Sequence, residues 1–306
     1  MCRDCGCGLP GENPSKISAD HEHHEHTHGH PHSHEHEHAH DEEHEHGPGE
    51  HQGEPHEHAH AHPHMHPHTH THDPDSAEEG EGRRTVEVRE AILAKNDRLA
   101  ERNRGFFQAR GLLTLNVLSS PGSGKTTFLR ETVRALGPKL KAGIIVGDLA
   151  TDNDAQRLRE SGAPVVQIMT GTVCHLEAEM VARAVRQLDL TGLELLIIEN
   201  VGNLVCPASY DLGEDLRVVL LSVAEGEDKP LKYPPMFQAA DVVVISKTDL
   251  AHACAFDRQS VMANLRRVAP KAPIFEVSAK TGEGMDAWRE FLVHKQAEKH
   301  RALMAL

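Results

Sequence analysis

The first 80 residues contain almost no aromatic or branched apolar side chains and only two basic ones, Arg3 and Lys16. A segment this poor in apolar groups cannot bury enough surface to offset its chain entropy, which excludes a packed core and predicts disorder. No apolar stretch follows a basic start, so the segment does not read as a secretory signal. Nowhere does the chain approach the run of about 18 apolar residues that a membrane-spanning helix requires. Cysteine is scarce too. The six thiols, half of them within the first seven residues, are too few and too clustered for a disulfide framework. They predict a reducing, cytoplasmic setting.

What the leader does hold is 23 of the 27 histidines, with 18 acidic side chains among them. Residues 81–306 carry 30 basic and 29 acidic groups, so the net charge of −15 belongs to the leader. The near-neutral remainder gives no electrostatic case for nucleic acid or a membrane surface. Imidazoles titrate near neutral pH. The histidine-rich run 21–72 is therefore expected to hold several metal ions weakly and release them on mild acidification. Its irregular mixing with Glu, Ala and Pro argues against an engineered tag. Ahead of it, Cys2, Cys5 and Cys7 lie close enough to converge with the α-amine on one ion, with no fold to arrange them. Three thiolates and an amine make a strongly donating set for a thiophilic divalent metal.

Beyond residue 80 the pattern changes. Residues 1–80 read as a metal-binding N-terminal region and 81–306 as one α/β domain. A helix is expected over about 85–109, where apolar residues recur at helical spacing up to Gly111. Seven apolar runs follow: "LLTLNVLS", "KAGIIVGD", "APVVQIM", "LELLIIEN", "LRVVLLSV", "ADVVVIS" and "APIFEVS". Segments of helical period separate most of them. Strands apolar on both faces and linked by helices predict a mostly parallel sheet of about seven strands, covered on both sides.

The first run leads directly into "SPGSGKTTFLRET". Gly122 and Gly124 allow the backbone N–H groups to surround phosphate oxygens. Lys125 brings charge to the β- and γ-phosphates, and the Thr126 hydroxyl can ligate Mg²⁺ at a helix N-terminus. Ser123 and Thr127 complete the loop. Ser119 stands where the motif usually begins with glycine. A strand before and a helix after are the context that makes this a phosphate loop of a P-loop NTPase.

Ser246-Lys247-Thr248-Asp249 ends a later apolar run, where ligands bind in such sheets. It is similar to the guanine-reading NKxD motif, in which a carboxylate accepts two hydrogen bonds from guanine that adenine cannot supply. Ser246 departs from the usual Asn. Ser278, Ala279 and Lys280, in "VSAKTG", resemble the loop whose backbone amide meets the guanine carbonyl. Asp148 and Glu199 end two other runs and are candidates to hold the magnesium or its waters, with Asp152 a weaker one. In "ENVGN", Gly202 permits a backbone flip that would depend on the γ-phosphate. No arginine finger and no water-positioning Gln is evident, so slow intrinsic hydrolysis is expected.

Cys174 and His175 are adjacent in a loop opening a helix, and Cys206 follows Gly202 by four residues. Thiolate and imidazole suit Zn²⁺ or Ni²⁺. Three ligands leave a four-coordinate site to be completed by a second copy of the chain or by water. The same residues also read as two small buried hydrophobes and a helix cap. Cys254 has no such company and reads as filler.

Together the C-x-x-C-G-C start, the histidine-rich insert, "SSPGSGKTT", "ENVGN", the Cys-His pair, the later Cys and "SKTD" resemble the HypB family of hydrogenase nickel-incorporation GTPases, over the whole chain. The resemblance implies a GTP-hydrolysing metallochaperone that helps load the [NiFe] hydrogenase large subunit. It implies a high-affinity nickel site at Cys2, Cys5 and Cys7, and a weaker site at Cys174, His175 and Cys206 that also takes zinc. It further implies that the second site lies at a nucleotide-dependent homodimer interface, and that the small zinc-containing protein HypA is a partner. Two alternatives stay open: a related GTPase serving another metalloenzyme such as urease, or a nickel store with little GTPase role. The triple-cysteine start, which the urease relatives lack, weighs against the first.

Overall fold

Parallel strands cannot be joined by tight hairpins, so each apolar run needs a crossover that returns the chain to the same end of the sheet. The structure, a computed structural model, describes residues 74–149 and 151–304, with side chains from residue 90 onward. The cysteine motif at 2–7 and the histidine-rich run 21–72 lie outside the described residues.

All seven expected strands form. They are β1 (Leu113–Ser119), β2 (Ala142–Asp148), β3 (Val165–Met169), β4 (Leu195–Glu199), β5 (Leu216–Ser222), β6 (Val242–Ser246) and β7 (Ile274–Val277). They pair in parallel in the order β3-β2-β4-β1-β5-β6-β7. The helices are α1 (Pro74–Ala109), α2 (Lys125–Leu136), α3 (Asn153–Arg159), α4 (Ala178–Val185), α5 (Lys229–Lys232), α6 (Pro234–Gln238), α7 (Arg258–Val268) and α8 (Met285–Met304). Helix α1 begins earlier than the expected 85. Pro74 fits a first helical position, where its missing N–H costs nothing, and an acidic, helix-favouring stretch follows it. The short helices α5 and α6 are not among the helical segments expected from the sequence. Here prolines occupy the opening positions of both helices.

Period-two alternation sends successive side chains of each central strand to opposite faces. Leu115 and Val117 of β1 pack with Phe128 and Leu129 of α2 and with Trp288 and Leu292 of α8. Ile145 of β2 and Ile198 of β4 meet Phe107 of α1 and Val181 of α4 on the other face. Leu118, Val219 and Ile245 meet Phe237, Val261 and Leu265 farther along that face. Trp288, the chain's single tryptophan, is fully buried. Its ring lies 5.5 Å from that of Phe128, and its indole N–H donates to the Thr132 hydroxyl of α2 at 3.0 Å.

One polar row breaks this apolar pattern. Asn116, in the middle of β1, is fully buried, and so is Asn200 just past β4. The strand order reverses at β1, which lies between β4 and β5. In open parallel sheets ligands bind at such a reversal, outside the carboxyl ends of the strands. The phosphate loop, Asp148, Glu199, Ser246–Asp249 and Ser278 all follow carboxyl ends of strands.

Candidate nucleotide and metal site

Helix α2 begins at Lys125, and its cap residue Gly124 has no side chain to accept the first helical N–H groups. Those donors are left for an anion. Gly122 and Gly124 have φ of 75° and 91°, a region that side-chain-bearing residues avoid. A Cβ on Gly124 would also come within 3.2 Å of Lys247 Cε. Lys125 and Thr126 are buried. The Lys125 ammonium donates to Ser119 Oγ at 3.2 Å, and that oxygen also accepts from the Ser123 hydroxyl at 2.6 Å. Ser119 therefore gives the lysine a partner that glycine could not.

The Ser246–Asp249 segment, the candidate for base reading, docks on the same loop. Ser246 donates through its hydroxyl to the Ser123 carbonyl at 2.8 Å, and Lys247 Nζ donates to the Gly122 carbonyl at 2.6 Å. Lys247 itself takes a left-handed backbone, φ 60°. The Ser278 hydroxyl donates to Asp249 Oδ1 at 2.7 Å and accepts from the Thr281 N–H at 3.1 Å. The turn carrying Ala279 and Lys280 closes through Gly282 N–H to the Ser278 carbonyl at 2.8 Å. The two candidate base-recognition loops, far apart in sequence, are thus joined side chain to side chain.

The acids divide. Glu199 is buried, accepts the Thr126 hydroxyl on Oε1 at 2.8 Å, and has no hydrogen-bond partner on Oε2 among the described residues. Burial pushes its carboxyl up to about 7, against the opposing pull of the Lys125 charge and the Thr126 hydroxyl. An orphaned carboxyl oxygen beside a threonine hydroxyl suits a hard cation such as Mg²⁺, which takes oxygen ligands. Asp148, at the end of β2, has both oxygens engaged by its own loop. They accept the Leu149 N–H and the Thr151 hydroxyl, each at 2.6 Å. Asp152 accepts from Gln156 Nε2 at 2.7 Å and stands at the N-cap position of α3 without a side-chain capping bond.

Cys174, His175 and Cys206 converge, with one ligand atom of each lying within 4.8 Å of the others. No disulfide joins the two cysteines. Glu177, not His175, occupies the N-cap position of α4, without a side-chain capping hydrogen bond. Neither ring nitrogen of His175 has a hydrogen-bond partner among the described residues, and burial lowers the imidazole to about 4. It is therefore neutral at pH 7 and able to donate a lone pair. Tyr210 stacks on it at 3.9 Å between ring centroids, a contact with no signal in the sequence. Cys254 is exposed, apart from this cluster.

A glycine loop opening a buried Lys–Thr helix at the reversal point of a parallel sheet defines a P-loop nucleotide-binding domain. A family model described as "CobW/HypB/UreG, nucleotide-binding domain" matches residues 113–276. Hydrogenase maturation factor HypB of Azotobacter chroococcum mcd 1 is 51% identical over 72% of each chain. HypB of Escherichia coli (strain K12) is 52% identical over 69% of this chain and 72% of its own. A crystal structure of Helicobacter pylori HypB in complex with nickel superposes with a TM-score of 0.64 at 44% identity, over 67% of this chain and 96% of the other. The chain belongs to the CobW/HypB/UreG family, in its HypB branch.

Proposed function

We propose that this protein is a GTP-hydrolysing nickel chaperone that stores nickel and delivers it during [NiFe] hydrogenase maturation. Residues 1–80 are the store, with Cys2, Cys5 and Cys7 as the tight site and the histidine run 21–72 as the weak reservoir. Residues 81–306 are the engine. One observation carries the reading: half-buried His175, whose two ring nitrogens are shielded from solvent and make no hydrogen bond among the described residues, sits against two cysteines in a phosphate-loop domain. A buried polar atom without a partner costs about 1–3 kcal/mol, a cost that a ligand would remove.

In this reading the loop from Gly122 to Thr127 wraps the phosphates, and Lys125 turns from Ser119 to the β- and γ-oxygens. Asp249 accepts from the guanine edge, held by Ser278, and Lys247 lies along the base. Thr126 and Glu199 hold Mg²⁺, with Asp148 beside them. When bound, the ion neutralises charge on the transferring phosphoryl group. Cys174, His175 and Cys206 take Ni²⁺ or Zn²⁺ as cargo, on a nucleotide-dependent homodimer that works in the cytoplasm with HypA and the hydrogenase large subunit. Cys206 follows ENVGN closely, so movement of that segment with the γ-phosphate would shift a metal ligand.

Nickel titration of the full chain with GTP or GDP tests this, beside Cys206→Ala. A nucleotide dependence present in the parent and lost in the variant is expected. An unchanged dependence removes the coupling, and no micromolar nickel binding removes the chaperone reading altogether.

A further inference from the structure

The Cys174–His175 segment and the Cys206 turn are far apart in sequence, and a continuous line of side-chain hydrogen bonds, buried up to Glu214 and part-buried at Arg217, runs between them. Asn200 Oδ1 accepts the Leu176 N–H, the residue after His175, at 3.2 Å, and the Val201 N–H at 2.9 Å. Its amide donates to Asn116 Oδ1 at 3.1 Å, and Asn116 in turn donates to Glu214 Oε1 at 3.1 Å. The same Glu214 oxygen accepts Arg217 Nε at 2.7 Å, while Glu214 Oε2 accepts the Leu212 N–H at 2.8 Å. Arg217 then donates Nη1 to the Ala208 carbonyl at 3.0 Å and Nη2 to the Tyr210 carbonyl at 3.2 Å. Ala208 belongs to the turn that Cys206 opens, and Tyr210 stacks on His175.

Asn116 and Asn200 are at most 1% exposed and Glu214 is 5% exposed. Burying amides and a carboxylate in a sheet of Val, Leu and Ile is costly unless every member is satisfied, and here the hydrogen bonds run unbroken. The line also touches the nucleotide side. Asn200 follows Glu199, whose carboxyl takes the Thr126 hydroxyl. Both segments that carry the cluster's side chains are thus connected by hydrogen bonds to the end of β4.

Resting on the reading above, we infer that Asn116, Glu214 and Arg217 are positioning residues that carry nucleotide state from β4 to the Cys174–His175–Cys206 cluster. None of them is among the proposed nucleotide or metal ligands. Asn116 and Glu214 bridge the sheet beneath the site, and Arg217 fixes the backbone of the Cys206 turn. Coupling between two sites requires an element whose arrangement both ligands bias, and this bridge joins the segments that hold them.

The test uses the full chain carrying Cys2→Ser, Cys5→Ser and Cys7→Ser, with cobalt(II) as probe. The sulfur-to-cobalt absorption then reports thiolate ligation at the domain cluster, and histidines of the leader do not contribute to it. Cobalt affinity is measured with GDP and with a non-hydrolysable GTP analogue. The ratio of the two in the parent is expected at about 5- to 150-fold. Asn116→Leu, which matches the size but removes both hydrogen bonds, is expected to bring the ratio to within about twofold of unity. Arg217→Lys, which keeps the charge beside Glu214 but cannot hold both carbonyls, is expected to do the same while perturbing the core less. GDP affinity without metal reports on folding and should stay near the parent value in Arg217→Lys. A purely structural role would weaken both affinities together and leave the ratio alone, and a parental ratio in Arg217→Lys overturns the inference. Failure of the underlying reading looks different: the thiolate band would then survive Cys174→Ser and Cys206→Ser made together, or the parent would show no ratio to lose.

Discussion

The two halves of the candidate site are finished to different degrees. On the nucleotide side, the groups that would read phosphate and base already have partners within the chain: Lys125 on Ser119, Lys247 on the Gly122 carbonyl, Asp249 on Ser278. In the metal corner, His175 is half-buried beside two sulfurs, and neither ring nitrogen makes a hydrogen bond among the described residues. The first half is preorganised by bonds a ligand would exchange, so its geometry exists without one. The second is recognised by what its imidazole lacks. Glu199, with one oxygen on Thr126 and the other without a partner, stands between the two cases.

The largest effect that would break this contrast lies at Asp249. In the proposed reading its removal would delete two charge-assisted hydrogen bonds to guanine, each worth about 1.5–3 kcal/mol. Asp249→Ala is therefore expected to lower the preference for GTP over ATP by roughly 10²- to 10⁴-fold in competition binding. An unchanged preference would place base reading elsewhere.

Glu199 tests the intermediate case through pH. Its folded carboxyl, at about 7, lies above the ordinary value of 4.5. The native state thus binds the extra proton between those values, and stability falls as pH rises through that window. Glu199→Gln removes the titration. In denaturant melts without metal it is expected to be more stable than the parent above pH 7, by up to about 3 kcal/mol, and no more stable below pH 4.5. The same variant should lose the magnesium dependence of nucleotide binding.

His175 comes next. Replacing it by Gln removes one of three donors from the domain cluster. Nickel affinity there is expected to drop by at least about tenfold, as even losses around a ligand cost 10- to 100-fold. Isothermal titration in the absence of the Cys2, Cys5 and Cys7 thiols would measure it. The smallest effect belongs to Ser246. Ser246→Ala leaves the Ser123 carbonyl without its donor, and about 1 kcal/mol of nucleotide affinity, or roughly fivefold, should go with it. A larger loss would mean that the short serine holds the loop as firmly as an asparagine.

Most of the fold could be read from the sequence because each strand is a short apolar run and each loop between runs carries its own punctuation. The strand boundaries moved by only a residue or two. Helices α5 and α6 were not legible, since the signal that ends a helix, a proline, is also the signal that begins one. Within the site, the residue types were legible and their meeting was not. Cys206 lies 31 positions beyond His175, and nothing in the spacing brings it to the cluster. Tyr210 and the Asn116–Glu214 bond depend on tertiary packing alone. Yet Asn116 did leave a trace: a single amide inside "LLTLNVLS" is an anomaly in a strand buried on both faces.

The solitary indole of this chain is pressed against α2, the helix that the phosphate-loop lysine opens. Any tilt of that helix on loading would change the packing around Trp288 and the hydrogen bond to Thr132. The protein thus contains its own fluorophore at the back of the nucleotide cleft. Emission intensity and wavelength would then report nucleotide loading without a label.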